Sequence, residues 1–183
     1  PRGGLVPSDD GEDVAPTVGD DVLLAEDEGG LHVVRVAHRR SALVRDSAGR
    51  TSRTQALAAN VDVVLVVEHL DPEPDLGRVE RLLTLAWRSG AQPVVVLTKA
   101  DLVPDAERLR LAVADVALGV DVHALSVTAQ VGLDPVRALL SPGVTLVAVG
   151  PSGAGKSTLV NALAGDQVMS TGERRADGRG HPG

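Results

Sequence analysis

Gly150-Pro151-Ser152-Gly153-Ala154-Gly155-Lys156-Ser157-Thr158 carries the strongest chemical signal in the chain. It fits G-x-x-x-x-G-K-[ST] in full. Glycines let a backbone wrap an anion, and the N–H groups at a helix start point toward phosphate oxygens. Lys156 is placed to reach β- and γ-phosphates and is the candidate catalytic residue. Ser157 is placed to offer its hydroxyl to Mg²⁺. The bland alternative is a glycine-rich turn with an incidental lysine. Context argues against it, because the apolar run Thr145 to Val149 precedes the loop and a helical pattern from Lys156 to Ala164 follows.

Such a loop does not choose a base. Thr98-Lys99-Ala100-Asp101 does, since it follows the apolar run Val94 to Leu97. A carboxylate at a strand's C-terminal end can accept two hydrogen bonds from guanine, at N1–H and the 2-amino group, which adenine does not offer as a pair. A lysine stem can lie over the base. T-K-x-D is a variant of the guanine-specificity element N-K-x-D of GTPases. On its own it is weak, because surface lysines and helix-capping aspartates are common. Beside a phosphate-binding loop it gains weight. A third element, Ser126-Val127-Thr128, resembles the S-A-x loop that covers guanine O6, with Val127 in the alanine position. Taken alone it is only a loop.

These loops need a scaffold. Val61 to Val67, Val94 to Leu97, Val122 to Leu125 and Thr145 to Val149 read as strands. Asp75 to Arg88, Asp105 to Leu118, Leu133 to Leu140 and Lys156 to Ala164 read as helices between or after them. The first helix carries a stripe of Leu76, Val79, Leu82, Leu83, Ala86 and Trp87. Alternating strands and helices predict an α/β fold with a doubly wound, mainly parallel sheet. Residues 1–58 differ: short apolar runs between Gly-containing turns predict a small antiparallel β unit. Residues 165–183 read as loop.

Composition limits the possibilities. The 183 residues carry a formal net charge of −7, with 1% aromatics and no cysteine. A globally basic nucleic-acid binder is excluded, as are stacking of RNA bases on aromatics, disulfides and thiolate metal sites. Charge is segregated, however. The first thirty residues are acidic, and the next stretch holds Arg35, Arg39, Arg40, Arg45, Arg50 and Arg53 against Asp46. A solvated strand face is the default reading, and a phosphate-binding face the sharper one. No apolar run approaches membrane-spanning length and no leader pattern precedes the first strand, so no membrane segment is expected.

The order of the three elements is unusual. T-K-x-D and the serine loop precede the phosphate loop, whereas ordinary GTPases run the other way, so a circular permutation is implied. On these motifs the chain resembles the circularly permuted, ribosome small subunit-dependent GTPases, the RsgA (YjeQ) family. His38-Arg39-Arg40-Ser41 with Arg45, and Gln55 through Ala59-Asn60-Val61-Asp62, resemble the end of that family's N-terminal OB-fold barrel and the entry to its GTPase domain. Val18-Gly19-Asp20-Asp21-Val22 resembles its G-D-W-V strand with Asp21 for Trp. Arg78 to Arg81 fits an R-x-E-R-like helix region.

The resemblance implies an OB-fold barrel over 1–58 and a permuted GTPase domain over 59–183. It implies a cytoplasmic, GTP-hydrolysing factor in late maturation of the small (30S) ribosomal subunit, with GTP/GDP and Mg²⁺, and a monomer is expected. Arg39, Arg40 and Arg45 then become candidates for contact with ribosomal RNA. The family's switch threonine, D-x-P-G magnesium loop and zinc ligands are absent. The expectation is therefore an incomplete chain, lacking the first barrel strand and altered by a reading-frame error in its last residues. Without the magnesium-loop strand, Thr145 to Val149 is expected to form an exposed parallel edge. Two other readings stand beside this one. One is a guanine-nucleotide-binding module that does not hydrolyse. The other is an ATPase or kinase, which leaves Thr98-Lys99-Ala100-Asp101 unexplained.

Overall fold

The computed structural model describes residues 4–45 and 55–165. The central layer is a four-stranded parallel sheet of β7 (Val63–His69), β8 (Gln92–Thr98), β9 (Asp121–Ala124) and β10 (Leu146–Val149). Their spatial order is β10-β7-β8-β9, so the strand latest in sequence lies beside the earliest. β7 and β8 are buried along nearly their whole length, as their Val- and Leu-rich sequences require of strands covered on both faces. β7 begins at Val63, two residues later than the apolar run suggests, after Asn60 at φ 53°, a left-handed conformation that no strand residue adopts.

Alternate residues divide the sheet into two cores. Val64, Val66, Val95 and Leu97 face helices α1 (Leu76–Ser89) and α2 (Ala106–Val116) through Val79, Leu83, Leu109 and Val113. Leu65, Val67, Val94 and Val96 face α3 (Asp134–Arg137) and α4 (Lys156–Ala164) through Val136 and Leu159. The sheet is therefore doubly wound. α1 starts where Asp75 accepts a hydrogen bond from the Arg78 N–H, and ends at Gly90 in the left-handed region. Trp87 departs from the predicted buried stripe: it is 55% exposed, since Val79, Leu83 and Ala86 already fill the inward face. α3 is also shorter than the predicted 133–140 segment.

The N-terminal part contains three antiparallel two-stranded ladders. They are β1 (Val6–Pro7) with β2 (Asp13–Val14), β3 (Val22–Asp27) with β4 (Gly30–Val36), and β5 (Ala42–Arg45) with β6 (Gln55–Ala59). A Ser8–Val36 bridge links the first two. Among the described residues these ladders do not close into the expected barrel. Leu43 and Ala58 belong to the same buried cluster as α1 and β7, so this unit is packed onto the α/β layer.

The junction is polar and specific. Buried Asn60, at φ 53°, accepts from the Arg40 N–H at 2.9 Å and donates to the Gly19 carbonyl at 2.9 Å. Asp62 accepts from the Thr145 N–H at 2.8 Å, just before β10, and from Arg40 Nη1 at 3.3 Å. The expected edge position of β10 holds among the described residues, where β10 pairs with β7 alone and its residues are only half-buried.

Candidate nucleotide site

The three chemically suggestive segments meet at the C-terminal edge of the parallel sheet, where open α/β sheets bind ligands. Gly150 to Gly155 link β10 to α4, and Lys156 opens the helix. Gly150 has φ 152°, and a Cβ there would lie 2.0 Å from the Val67 carbonyl oxygen. Only glycine lets the loop leave β10 so close to β7. Lys156 turns back across the loop, its Nζ donating to the carbonyls of Gly150 at 3.0 Å and Pro151 at 2.7 Å. Its ammonium is thereby held over the loop that would receive phosphate.

The base-selecting segment follows β8. Thr98 is buried, and its hydroxyl lies 2.7 Å from the Ala154 carbonyl oxygen and 3.2 Å from that of Glu68. Lys99 is in the left-handed region at φ 62°, and its Nζ reaches the Asp71 carbonyl at 3.4 Å. Ala100 donates its N–H to the Leu125 carbonyl at 3.1 Å, locking the segment to the end of β9. Asp101 sits in a 3-10 turn over Ala100–Leu102, with its carboxylate side exposed. Beyond β9, Ser126 is buried. Its Oγ accepts from the Ala129 N–H at 3.0 Å, which shapes the turn that presents Val127 and Thr128.

A cavity of about 360 Å³ lies between these segments. Thr98, Lys99 and Asp101 line one side, Ser126 and Val127 another, and Gly155 and Thr158 the third. Ala100, Gly150 to Ala154, Lys156 and Ser157 do not line it. They belong to the adjoining loop and helix start, where phosphates of a bound nucleotide would extend. Leu102 and Thr128 complete the lining; Thr128 belongs to the predicted serine loop, whereas Leu102 was not among the selected residues. Leu102 could have been found from its place beside Asp101, since an apolar neighbour suits a base plane. A larger hollow, about 510 Å³, flanks β9 near Arg110 and His123, and none of the selected residues lines it.

The donor set suits Mg²⁺. That ion takes most of its ligands from phosphate and water and needs only one or two protein oxygens. Ser157 supplies one hydroxyl in the first turn of α4, and the described residues hold no cluster of three acidic or histidine side chains.

The basic stretch is less open than its composition suggests. Arg39 forms a two-pronged ion pair with Asp20, at 2.7 and 2.8 Å, whose carboxylate side chain is 1% exposed. The charge-assisted hydrogen bonds to Asp20 raise the Arg39 pKa further. Arg35 pairs with Asp9 and His38 with Asp10. The acidic opening segment thus neutralises part of the basic one. Arg40 keeps 65% of its side chain exposed while touching Asp62. The Arg45 side chain, Arg50 and Arg53 lie outside the described residues, as does 166–183.

A phosphate loop, a T-K-x-D segment and a serine loop around one cavity, in permuted chain order, define a P-loop α/β protein. The RsgA GTPase family model matches residues 36–182, and the chain belongs to that family. A Streptomyces avermitilis protein called small ribosomal subunit biogenesis GTPase RsgA is 53% identical over 165 residues, covering 87% of this chain and 44% of the relative. A Methanosarcina acetivorans protein of the same description is 41% identical, covering 88% and 44% respectively. The chain thus spans less than half the length of these relatives. Among solved structures, YjeQ from Thermotoga maritima superposes with TM-score 0.63 at 25% identity, covering 87% of this chain and 64% of that one. YloQ, described as a circularly permuted GTPase, does so with TM-score 0.59 at 28% identity, covering 81% and 50%.

Proposed function

We propose that this chain binds guanine nucleotide and belongs to a GTP-hydrolysing factor in biogenesis of the small ribosomal subunit. The observation that carries the nucleotide reading is the cavity lined by Thr98, Lys99, Asp101, Ser126, Val127, Gly155 and Thr158, residues from all three segments. Asp101 accepts from guanine N1–H and the 2-amino group. Lys99 lies along the base, and the Val127 backbone covers its O6 side. The Gly150 to Gly155 backbone and Lys156 hold the phosphates. Ser157 holds Mg²⁺, which neutralises phosphate charge when bound.

The role in ribosome assembly rests on the family and on the names of the relatives. In this reading residues 1–58 form the RNA-facing domain and 59–183 the nucleotide domain, with the small subunit's RNA as partner and a cytoplasmic setting. Arg40 is the basic residue best placed to meet phosphate, with Arg45 beside it in sequence. Arg39 supports that surface from below through Asp20. A chain that holds the nucleotide without turning it over is the alternative, since among the described residues of the proposed site no side chain is assigned to position the attacking water.

Base choice is the test. Wild type should bind GDP well and XDP and ADP poorly, by calorimetry. Asp101→Asn should lose GDP and gain XDP, because xanthine carries a carbonyl where guanine has its 2-amino group. Hydrogen bonds to a charged group are worth about 1.5–3 kcal/mol each, so the GDP loss should exceed tenfold. Equal affinity of wild type for ADP and GDP would remove the guanine reading.

A further inference from the structure

Glu68 is a completely buried carboxylate at the ligand-facing end of β7, and no role in the nucleotide site has been given to it so far. Its Oε2 accepts from Arg78 Nε at 2.7 Å and its Oε1 from Arg78 Nη2 at 3.0 Å. The pair is strong enough to raise the Arg78 pKa, chiefly through these hydrogen bonds. Oε1 also accepts from the backbone N–H of His69 at 3.2 Å. His69 in turn reaches the Pro72 carbonyl through Nδ1 at 3.0 Å.

These contacts fix the path of residues 68–72 alongside the base-selecting segment. Leu70 donates its N–H to the Thr98 carbonyl at 3.0 Å. The Asp71 carbonyl accepts from Lys99 Nζ at 3.4 Å. Glu68 itself offers its backbone carbonyl to the Thr98 hydroxyl. A buried ion pair is weak evidence for stability, since apolar residues of similar size often serve as well. A buried carboxylate that accepts three hydrogen bonds at a ligand edge calls for another explanation.

We infer that Glu68 and Arg78 are positioning residues for base binding: they set the 68–72 turn, which holds Lys99 along the base side of the cavity. The inference rests on the guanine-nucleotide reading and adds residues that none of the three motifs contains. Neither residue lines the cavity, so they act through Lys99 and Thr98.

The test replaces the pair with apolar side chains in the 183-residue chain. Glu68→Leu with Arg78→Leu should leave the melting temperature unchanged or raise it, because no buried charge is left unpaired: Asp75, which also pairs with Arg78, keeps 47% of its side chain exposed. GDP affinity should fall about threefold to tenfold, the range expected when a supporting network is cut. Affinity for inorganic pyrophosphate, measured by displacement of labelled GDP, should stay as in wild type, because pyrophosphate uses only the phosphate loop. Arg78→Lys is the second variant. It keeps the charge but not the two-pronged geometry, and should show the same selective loss in milder form. Unchanged GDP affinity in whichever variant folds overturns the inference. A parallel fall for GDP and pyrophosphate overturns it too, since that reports general loosening. Failure of wild type to bind GDP would instead overturn the nucleotide reading itself.

Discussion

The Thr98 hydroxyl lies 2.7 Å from the Ala154 carbonyl oxygen, which joins the base-selecting segment directly to the phosphate loop. The threonine of T-K-x-D is thus a buried strut between two binding segments. Gly155 packs beside it at φ 82°, a left-handed conformation that favours glycine. The proposed base-binding and phosphate-binding segments are therefore hydrogen-bonded to one another.

Thr98→Val keeps the shape and removes the hydroxyl. It should cost about 1–3 kcal/mol in urea denaturation, the usual range for leaving a buried polar group without its partner. GDP affinity should fall with it. Thr98→Ser should restore both. Full stability in Val with a loss in Ser would assign the residue's role to its methyl group.

Among the described residues, the Lys156 ammonium hydrogen-bonds the carbonyls of its own loop. Lys156→Ala should therefore keep the wild-type circular dichroism spectrum and melting temperature. GDP binding should drop by at least tenfold, because each charge-assisted hydrogen bond lost is worth about 1.5–3 kcal/mol. A GDP isotherm superposable on that of wild type would show that the loop is no phosphate site.

Arg39 and Arg40 are adjacent but should behave oppositely. Arg39→Ala leaves the Asp20 carboxylate buried and unpaired, which should cost about 3–5 kcal/mol in denaturant unfolding. Arg40→Ala breaks an exposed pair and should cost less than about 1 kcal/mol. It should also reduce the salt dependence of binding to small-subunit RNA. A salt slope identical to wild type would return Arg40 to the solvated face of the N-terminal unit.

Acid should loosen the junction between the two parts. The Thr145 N–H, and secondarily the Arg40 guanidinium, hold Asp62 below its ordinary carboxylate pKa. The folded-state pKa therefore lies below the unfolded one. The contribution is complete above about pH 4 and is lost as acid protonates the folded carboxylate. Asp75 and Glu107 are depressed in the same direction, by the Arg78 N–H and the Arg110 side chain respectively. Wild type should thus lose stability more steeply than Asp62→Asn as pH falls from 5 to 2, followed by urea midpoints. Parallel curves would show that Asp62 contributes nothing to acid sensitivity.

Local rules made much of the molecule legible. The Val-rich runs could only be strands covered on both faces, and the structure places β7 and β8 there. Gly150 to Ser157 could be read as an anion loop because glycine, lysine and hydroxyl occur at spacings that a strand-turn-helix requires. The order of motifs along the chain was enough to suggest permutation. Pairing was not legible, because nothing local announces which distant group completes a contact. Asp20 neutralises Arg39, Asp62 holds Thr145, and Glu68 lies beneath Arg78 through separations of 19, 83 and 10 residues. A run of arginines therefore looked open until the fold brought acids against it. Likewise Trp87 fitted an apolar stripe, yet the available inward surface was taken by smaller side chains. Residue types and their spacing determined the chemistry this chain could offer. Which groups remain free to perform it was decided by the tertiary structure, since burial and ion pairing depend on neighbours that sequence distance conceals.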